Sequence, residues 1–104
     1  MSPTARSLAL LRSQGWHCEV VEHWNAFSRK RHDLWGWCDI LCVAVAAYPQ
    51  VMAVQTTTKT NMKARIKKIK TSDTFRTVQL CGIGVRVHGW HKVGRKWECK
   101  IETL

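Results

Sequence analysis

Asp39 is the residue of this chain whose surroundings point most directly to chemistry. It is the only charged residue between Leu34 and Thr58, and its neighbours are Trp, Cys, Ile, Leu and Val. An ionised carboxylate in such a segment is costly unless it is hydrogen-bonded, paired or bound to a metal. Two interpretations follow for Asp39: a structural acid that accepts backbone or arginine hydrogen bonds, or a metal ligand.

A second set of oxygen-bearing side chains follows on the next apolar segment, which closes with Gln55, Thr56 and Thr57. Side chains alternate along a strand, so residues 55 and 57 point to the same face. If the two segments are neighbouring strands, Asp39, Gln55 and Thr57 converge. A carboxylate, an amide oxygen and a hydroxyl suit Mg²⁺, which also accepts phosphate oxygens. A metal held there can polarise a scissile phosphate and activate a bound water.

The charge of the chain predicts a polyanionic partner. Seventeen Lys and Arg residues face seven acids, which gives a net charge of +10. Such a field attracts nucleic acid, although a basic helix face is often merely solvated. Cations are dense at 59–70, where no acid occurs, and at 29–31, just before Asp39. The predicted nucleic-acid contacts are Arg29, Lys30, Arg31, Asn61, Lys63, Arg65, Lys67 and Lys68.

These residues need a framework of helices and strands, and the hydrophobic pattern predicts one. Helices are expected over 4–14, 61–70 and 73–81, and strands over 16–21, 35–47 and 51–57. A C-terminal β-hairpin is expected from the alternation of apolar and polar residues over 83–90 and 96–102. The polar segment 22–33 is predicted to be a loop or an irregular strand edge. We therefore predict a single α/β domain over 1–104, with a mixed central sheet flanked by helices.

The remaining residues argue against other classes of protein. The five cysteines include no CxxC pair and are expected to be small buried side chains in a reducing cytoplasm. Cys38 and Cys42 on one strand would lie about 13 Å apart, too far for one zinc. The apolar stretch 40–48 is too short to span a bilayer. We expect a cytoplasmic, intracellular protein without a membrane partner, with His88 and His91 at the surface of the hairpin.

Three segments together resemble a known superfamily. They are RKRHDLWGWCDILCV (29–43), VMAVQTTT (51–58) and the basic helix NMKARIKKIK (61–70). This chain resembles the PD-(D/E)xK, or restriction-endonuclease-like, nucleases, and most closely their small Holliday-junction-resolvase-like and phage-encoded members. The resemblance implies an α-β-β-β-α-β core and identifies Asp39 with the family's metal-binding Asp.

The chain departs from that family at three points. Gln55 falls where the family usually has Glu or Asp, and Thr57 falls where it usually has Lys. Lys59 can replace that Lys if the strand continues as far as residue 59, which would place Lys59 two residues further along the same face. The resolvase-like members also carry a Glu on the first helix, which is absent here. Glu22 and Asp33 are the nearest acids that can serve instead, and a solvated surface charge is the alternative for each.

The resemblance implies a Mg²⁺- or Mn²⁺-dependent endonuclease that cuts DNA phosphodiester bonds, including those of structured or branched DNA. Its catalytic residues would be Asp39, Gln55, Thr57 and Lys59, with Asp39 and Gln55 as the metal ligands and Arg65 on a phosphate. The alternative is a non-catalytic nucleic-acid-binding module on a decayed nuclease fold. RNA as the target and a homodimer as the assembly both stay open.

Overall fold

A computed structural model describes all residues, 1–104, and confirms an α/β fold. The helices are α1 (Pro3–Ser13), α2 (Met62–Lys70) and α3 (Asp73–Leu80). The strands are β1 (His17–Val20), β2 (His23–Asn25), β3 (Lys30–His32), β4 (Ile40–Val43), β5 (Val51–Thr58), β6 (Gly84–Val93) and β7 (Lys96–Thr103). A single 3-10 turn, Lys59–Asn61, joins β5 to α2. None of the helices is long and apolar enough to cross a membrane.

Five of the strands form one mixed sheet in the order β1-β4-β5-β6-β7. The central pair β5 and β6 is parallel, whereas every other neighbouring pair is antiparallel. Parallel neighbours require a crossover connection, and α2 and α3 supply it. The strands β6 and β7 form the predicted C-terminal hairpin. The mixed sheet, the flanking helices and the order of the core elements are as the sequence predicted.

Helices cover both faces of the sheet, and each face has its own hydrophobic cluster. On the α1 face the buried residues are Leu11, Cys18, Ile40, Cys42, Met52 and Val54. On the α2 and α3 face they are Trp37, Cys38, Ala53, Met62, Ile69, Val78, Val85 and Val87. Consecutive residues of β5 alternate between the two clusters, as strand geometry requires. The sheet is therefore the middle layer of three.

A polar contact fixes α1 to the centre of the sheet. The hydroxyl of Ser7, itself buried, accepts a hydrogen bond from Trp90 Nε1 at 2.8 Å and lies 2.9 Å from His88 Nδ1. The prediction that His88 lies at the surface is wrong, because α1 covers this part of β6. Burial, together with the charge of Arg86, lowers the pKa of His88 to about 4.

The predicted strand over 35–47 is largely wrong, since only Ile40–Val43 is a strand. Before it, Trp35 and Gly36 have φ values of 58° and 79° and form a tight turn. The turn is closed by a bridge between Leu34 and Cys38. These residues are apolar because they pack under α2 and α3, and burial does not require an extended backbone. Cys38 and Cys42 consequently lie in different clusters, and Cys81 is exposed rather than buried.

The polar segment 22–33, for which the sequence predicts a loop or an irregular strand edge, forms a short antiparallel hairpin. Strands β2 and β3 pair antiparallel, with His23 opposite His32. The side chain of Asn25 fixes the turn, since its Oδ1 accepts hydrogen bonds from the backbone N–H of Phe27 at 2.9 Å and Ser28 at 3.2 Å. An Asn that satisfies the backbone in this way favours a turn. We call residues 23–32 the basic hairpin.

Candidate metal-binding site

A polar pocket lies beside the end of β5, between the first residues of α1 and the α2 helix. Its lining contains no hydrophobic side chain. The residues that line it are Ser2, Pro3, Thr4, Glu22, Arg31, Asp33, Asp39, Gln55, Thr56, Thr57, Thr58 and Arg65. The pocket therefore brings together residues from both helix layers, the sheet and the basic hairpin.

Asp39 is fixed within this pocket by its hydrogen bonds. Its Oδ2 accepts from Gln55 Nε2 at 2.7 Å, from the Thr56 backbone N–H at 2.8 Å and from the Thr56 hydroxyl at 3.2 Å. Its own backbone N–H donates to the carbonyl of Val54 at 2.9 Å. Asp39 is 3% exposed. The interpretation of Asp39 as an acceptor of backbone hydrogen bonds is thus correct, and it leaves the other carboxylate oxygen for a further role.

Two more acids stand beside Asp39. Glu22, Asp33 and Asp39 each place a carboxylate oxygen within 4.8 Å of the others. Burial, followed by the charge of Asp33 and by the hydrogen bond and charge of Glu22, raises the pKa of Asp39 from 3.8 to about 7, although the Thr56 N–H opposes the shift. Arg31 offsets part of this charge, since its Nη1 lies 3.3 Å from Glu22 Oε1. The arrangement concentrates negative charge in a protein that is otherwise strongly basic.

Gln55 contributes an amide oxygen that has no partner. The side chain is 2% exposed, and its Nε2 donates to Asp39 and, at 3.1 Å, to the Thr56 carbonyl. Its Oε1 is buried and accepts no hydrogen bond. A buried polar atom without a partner costs about 1–3 kcal/mol and calls for an explanation. A cation in the pocket would supply the missing partner.

The donor set fits a hard divalent cation. Three carboxylates and one amide oxygen are the ligand types that Mg²⁺ and Mn²⁺ take in proteins. Binding of a cation would also offset the burial and the neighbouring negative charges that raise the pKa of Asp39. No cysteine or histidine lines the pocket, so its residues do not suit a softer metal such as zinc.

The structure brings most of the predicted site residues together. Asp39, Gln55 and Thr57 line the same pocket, and Arg65 reaches it from α2. Lys59 does not line it, because β5 ends at Thr58 and the 3-10 turn carries Lys59 out to an exposed position. The condition on which Lys59 could replace the family lysine, a continuing strand, is therefore not met.

The predicted nucleic-acid contacts form two exposed groups beside the pocket. Arg29, Lys30 and Arg31 lie on the basic hairpin, and Arg31 also lines the pocket. Asn61 precedes α2, and three of the four exposed lysines of that helix are predicted contacts. We call Lys63, Lys67 and Lys68 the α2 lysines.

The sequence left the roles of Glu22 and Asp33 undecided, and the structure explains how both reach the pocket. Glu22 directly precedes β2 and Asp33 directly follows β3. An antiparallel hairpin returns the chain to its starting point, so residues that flank it become neighbours. The sequence feature that indicates this proximity is Asn25, a residue that favours turns, within a segment bounded by two acids.

Comparisons of the chain with protein-family models, curated proteins and solved structures found no match. The chemistry of the pocket and the charge around it are therefore the basis for a functional assignment.

Proposed function

We propose that this protein is a Mg²⁺- or Mn²⁺-dependent endonuclease of the PD-(D/E)xK kind that hydrolyses DNA phosphodiester bonds. The observation that carries the proposal is the buried Asp39 with two further carboxylates beside it, in a pocket that Gln55, whose Oε1 has no partner, also lines. A structural acid needs only the hydrogen bonds that Asp39 already has. The additional acids and the unpartnered oxygen are explained by a cation.

Five residues of the pocket have a defined task in this proposal. Asp39, Glu22 and Asp33 would hold the cation, with Gln55 Oε1 as a neutral ligand. A divalent cation there would polarise the scissile phosphate and lower the pKa of a bound water. Arg65 provides a permanent positive charge on the α2 side of the pocket, where it can hold a phosphate oxygen.

The reaction is a hydrolysis that these residues would orient. The oxygen of a water bonds to phosphorus, one ester P–O bond breaks, and the leaving oxygen takes up a proton. In PD-(D/E)xK enzymes a lysine assists the attacking water, but no lysine lines this pocket. Thr57 is buried at the corresponding place and offers a neutral hydroxyl. We therefore expect slow cleavage and a preference for Mn²⁺, which binds such sites more tightly than Mg²⁺.

Nucleic acid is the substrate that the charge distribution supports. The chain carries a net charge of +10, and its acids are few. The α2 lysines are exposed and no acid occurs from residue 59 to residue 70. Like charges on one helix repel each other, and a phosphate backbone relieves that repulsion while releasing counterions. The acidic pocket between two basic surfaces is suited to a metal ion that accompanies a polyanion.

One observation favours a non-catalytic DNA-binding module instead. Asp39 Oδ2 already accepts three hydrogen bonds, and Gln55 and Thr57 replace the family's second acid and lysine. A protein that had lost catalysis could keep this arrangement as a structural network. Its basic surfaces would still bind DNA, with no requirement for a metal.

A cleavage assay separates the two functions. The protein is incubated with junction, forked and linear DNA in the presence of Mg²⁺, Mn²⁺ or EDTA, beside an Asp39→Asn variant. Cleavage that requires metal and is lost in the variant supports the endonuclease. DNA that is retarded in a gel but stays intact with both metals rejects the endonuclease and selects the binding module. Cleavage by the variant at the wild-type rate would show that the pocket is not the active site.

A further inference from the structure

The basic hairpin exposes two aromatic side chains, Phe27 in its turn and Trp24 on β2. Phe27 is fully exposed and Trp24 is 60% exposed. The turn that carries Phe27 is ordered by Asn25, and the Ser28 hydroxyl lies 3.1 Å from His32 Nε2 across the hairpin. A large aromatic side chain that is exposed to water, on a turn fixed by hydrogen bonds, does not stabilise the fold. Exposed apolar groups of this kind mark interaction surfaces.

The residues around Phe27 indicate what it binds. Arg29, Lys30 and Arg31 are exposed next to it, and residues 23–32 contain no acid. A protein partner or a lipid core would call for more apolar surface, but the neighbours of Phe27 along the turn are small or charged. Cations that follow a phosphate backbone, combined with aromatic faces on which bases stack, are the features of single-strand recognition.

The position of the hairpin relates this surface to the pocket. The two ends of the hairpin are directly continuous with Glu22 and Asp33, so the hairpin projects from the proposed metal site. At 3.3 Å per residue, Phe27 lies roughly 15 Å from those acids. Stacked nucleotides are spaced 3.4 Å apart along a strand, so this distance corresponds to about four nucleotides.

We propose that Phe27 stacks on an unpaired base, so that the protein selects DNA with a duplex-to-single-strand junction over a continuous duplex. In a continuous duplex both faces of every base are covered by its neighbours, and unstacking one costs a few kcal/mol. The inference rests on the proposed function only in placing the scissile strand in the pocket. Trp24, on β2 of the same hairpin, lines a depression together with Glu22 and Arg31 and offers a second aromatic face near that pocket.

The test measures binding in EDTA, so that it does not depend on cleavage. The probes are a forked DNA with 2-aminopurine at the first unpaired position and a blunt duplex of equal length. We expect the wild type to bind the fork more tightly and to quench 2-aminopurine. Stacking contributes about 1–3 kcal/mol per base, so Phe27→Ala should weaken fork binding by roughly 5- to 150-fold and abolish quenching. Its affinity for the blunt duplex should change less than twofold.

Two controls make the result specific. Tyr48 is an equally exposed aromatic residue on a different loop, and Tyr48→Ala should bind like the wild type. Phe27→Trp restores an aromatic face and should recover fork binding, which also excludes misfolding as the cause. An equal loss on fork and duplex, an unchanged Phe27→Ala variant, or a wild type that prefers the duplex would each overturn the proposal. So would a Phe27-dependent attachment to anionic lipid vesicles without any effect on the fork.

The outcomes also separate this proposal from the endonuclease. Metal-dependent cleavage combined with an unchanged Phe27→Ala variant would refute the stacking role and keep the enzyme. Loss of fork binding and quenching in Phe27→Ala without cleavage by the wild type would support the stacking role and reject the enzyme.

Discussion

Replacement of Asp39 by Asn should stabilise the metal-free protein while abolishing its response to metal. The carboxyl group has a pKa of 3.8 in its ordinary environment and about 7 in the fold, so the folded protein retains a proton that the unfolded chain has lost. Stability then decreases as pH rises from about 4 to about 7, by up to about 1.4 kcal/mol per pH unit. Asn cannot ionise, and its amide oxygen can accept the hydrogen bonds that Gln55 and Thr56 donate.

The predicted magnitude follows from the difference between the two pKa values. At pH 8 in EDTA, Asp39→Asn should exceed the wild type in free energy of unfolding by about 4 kcal/mol, and at pH 4 the two should nearly coincide. His88 acts in the opposite direction. Its pKa is lowered to about 4, so its contribution is present above about pH 6.5 and is lost as pH falls. Both proteins contain His88, so the comparison removes its effect.

Urea denaturation followed by tryptophan fluorescence at pH 4, 6 and 8 provides the measurement. Addition of Mn²⁺ at pH 8 should stabilise the wild type, because the ligand binds only the folded state, and should leave Asp39→Asn unchanged. Glu19→Gln, which removes an exposed acid on β1, serves as the control and should keep the wild-type pH dependence. An Asp39→Asn variant that is less stable than the wild type at pH 8 would show that the pocket does not strain this carboxylate.

Other residues give further measurable outcomes. Gln55→Glu should raise metal affinity in calorimetric titration, since it adds a charge to the ligand set, and equal affinity would remove Gln55 from the site. Replacing the three α2 lysines with Gln should reduce the slope of log K against log salt by about 2 to 3, whereas the same change at Lys92, Lys96 and Lys100 should not. Ser7→Ala should cost about 1–3 kcal/mol by leaving Trp90 Nε1 without an acceptor, with Ser13→Ala as the exposed control. Forked DNA should be cut about four nucleotides from its first unpaired base, and scattered cuts would argue against a fixed hairpin.

Local sequence patterns predicted the α/β fold well where each element has one clear periodicity. The helix α2 and the last strand lie within one residue of their predicted bounds, and β6 extends three residues beyond its predicted end. The segment 35–47 was predicted wrongly because a run of apolar residues reports burial, and Trp37 is buried in a turn rather than in a strand. His88 was misplaced because alternation along β6 cannot reveal that a helix from the other end of the chain covers the second face.

The pocket was predictable only in part. Asp39, Gln55 and Thr57 could be grouped because neighbouring strands with known alternation bring them together. Glu22 and Asp33 depend on a hairpin whose pairing is not visible in hydrophobic periodicity, since β2 and β3 are short and almost wholly exposed. Whether Lys59 points into the pocket depends on where β5 ends. The boundary of an element is set by its tertiary surroundings rather than by its own residues.

The contact between Ser7 and β6 has a consequence for the order of folding. The contact joins Ser7 to His88 and Trp90, which are 81 and 83 positions further along the chain. The strand β6, which is the parallel partner of β5, is synthesised only after α2 and α3. Folds that depend on such distant pairings acquire their structure slowly, because a long stretch of chain must be ordered before the contact forms. A nascent chain that reaches only Leu80 lacks both partners of Ser7 and the strand that completes the centre of the sheet. The polar contact between the first helix and β6 therefore forms only after β6 has left the ribosome, whereas the hydrophobic contacts of that helix with β1, β4 and β5 involve earlier residues.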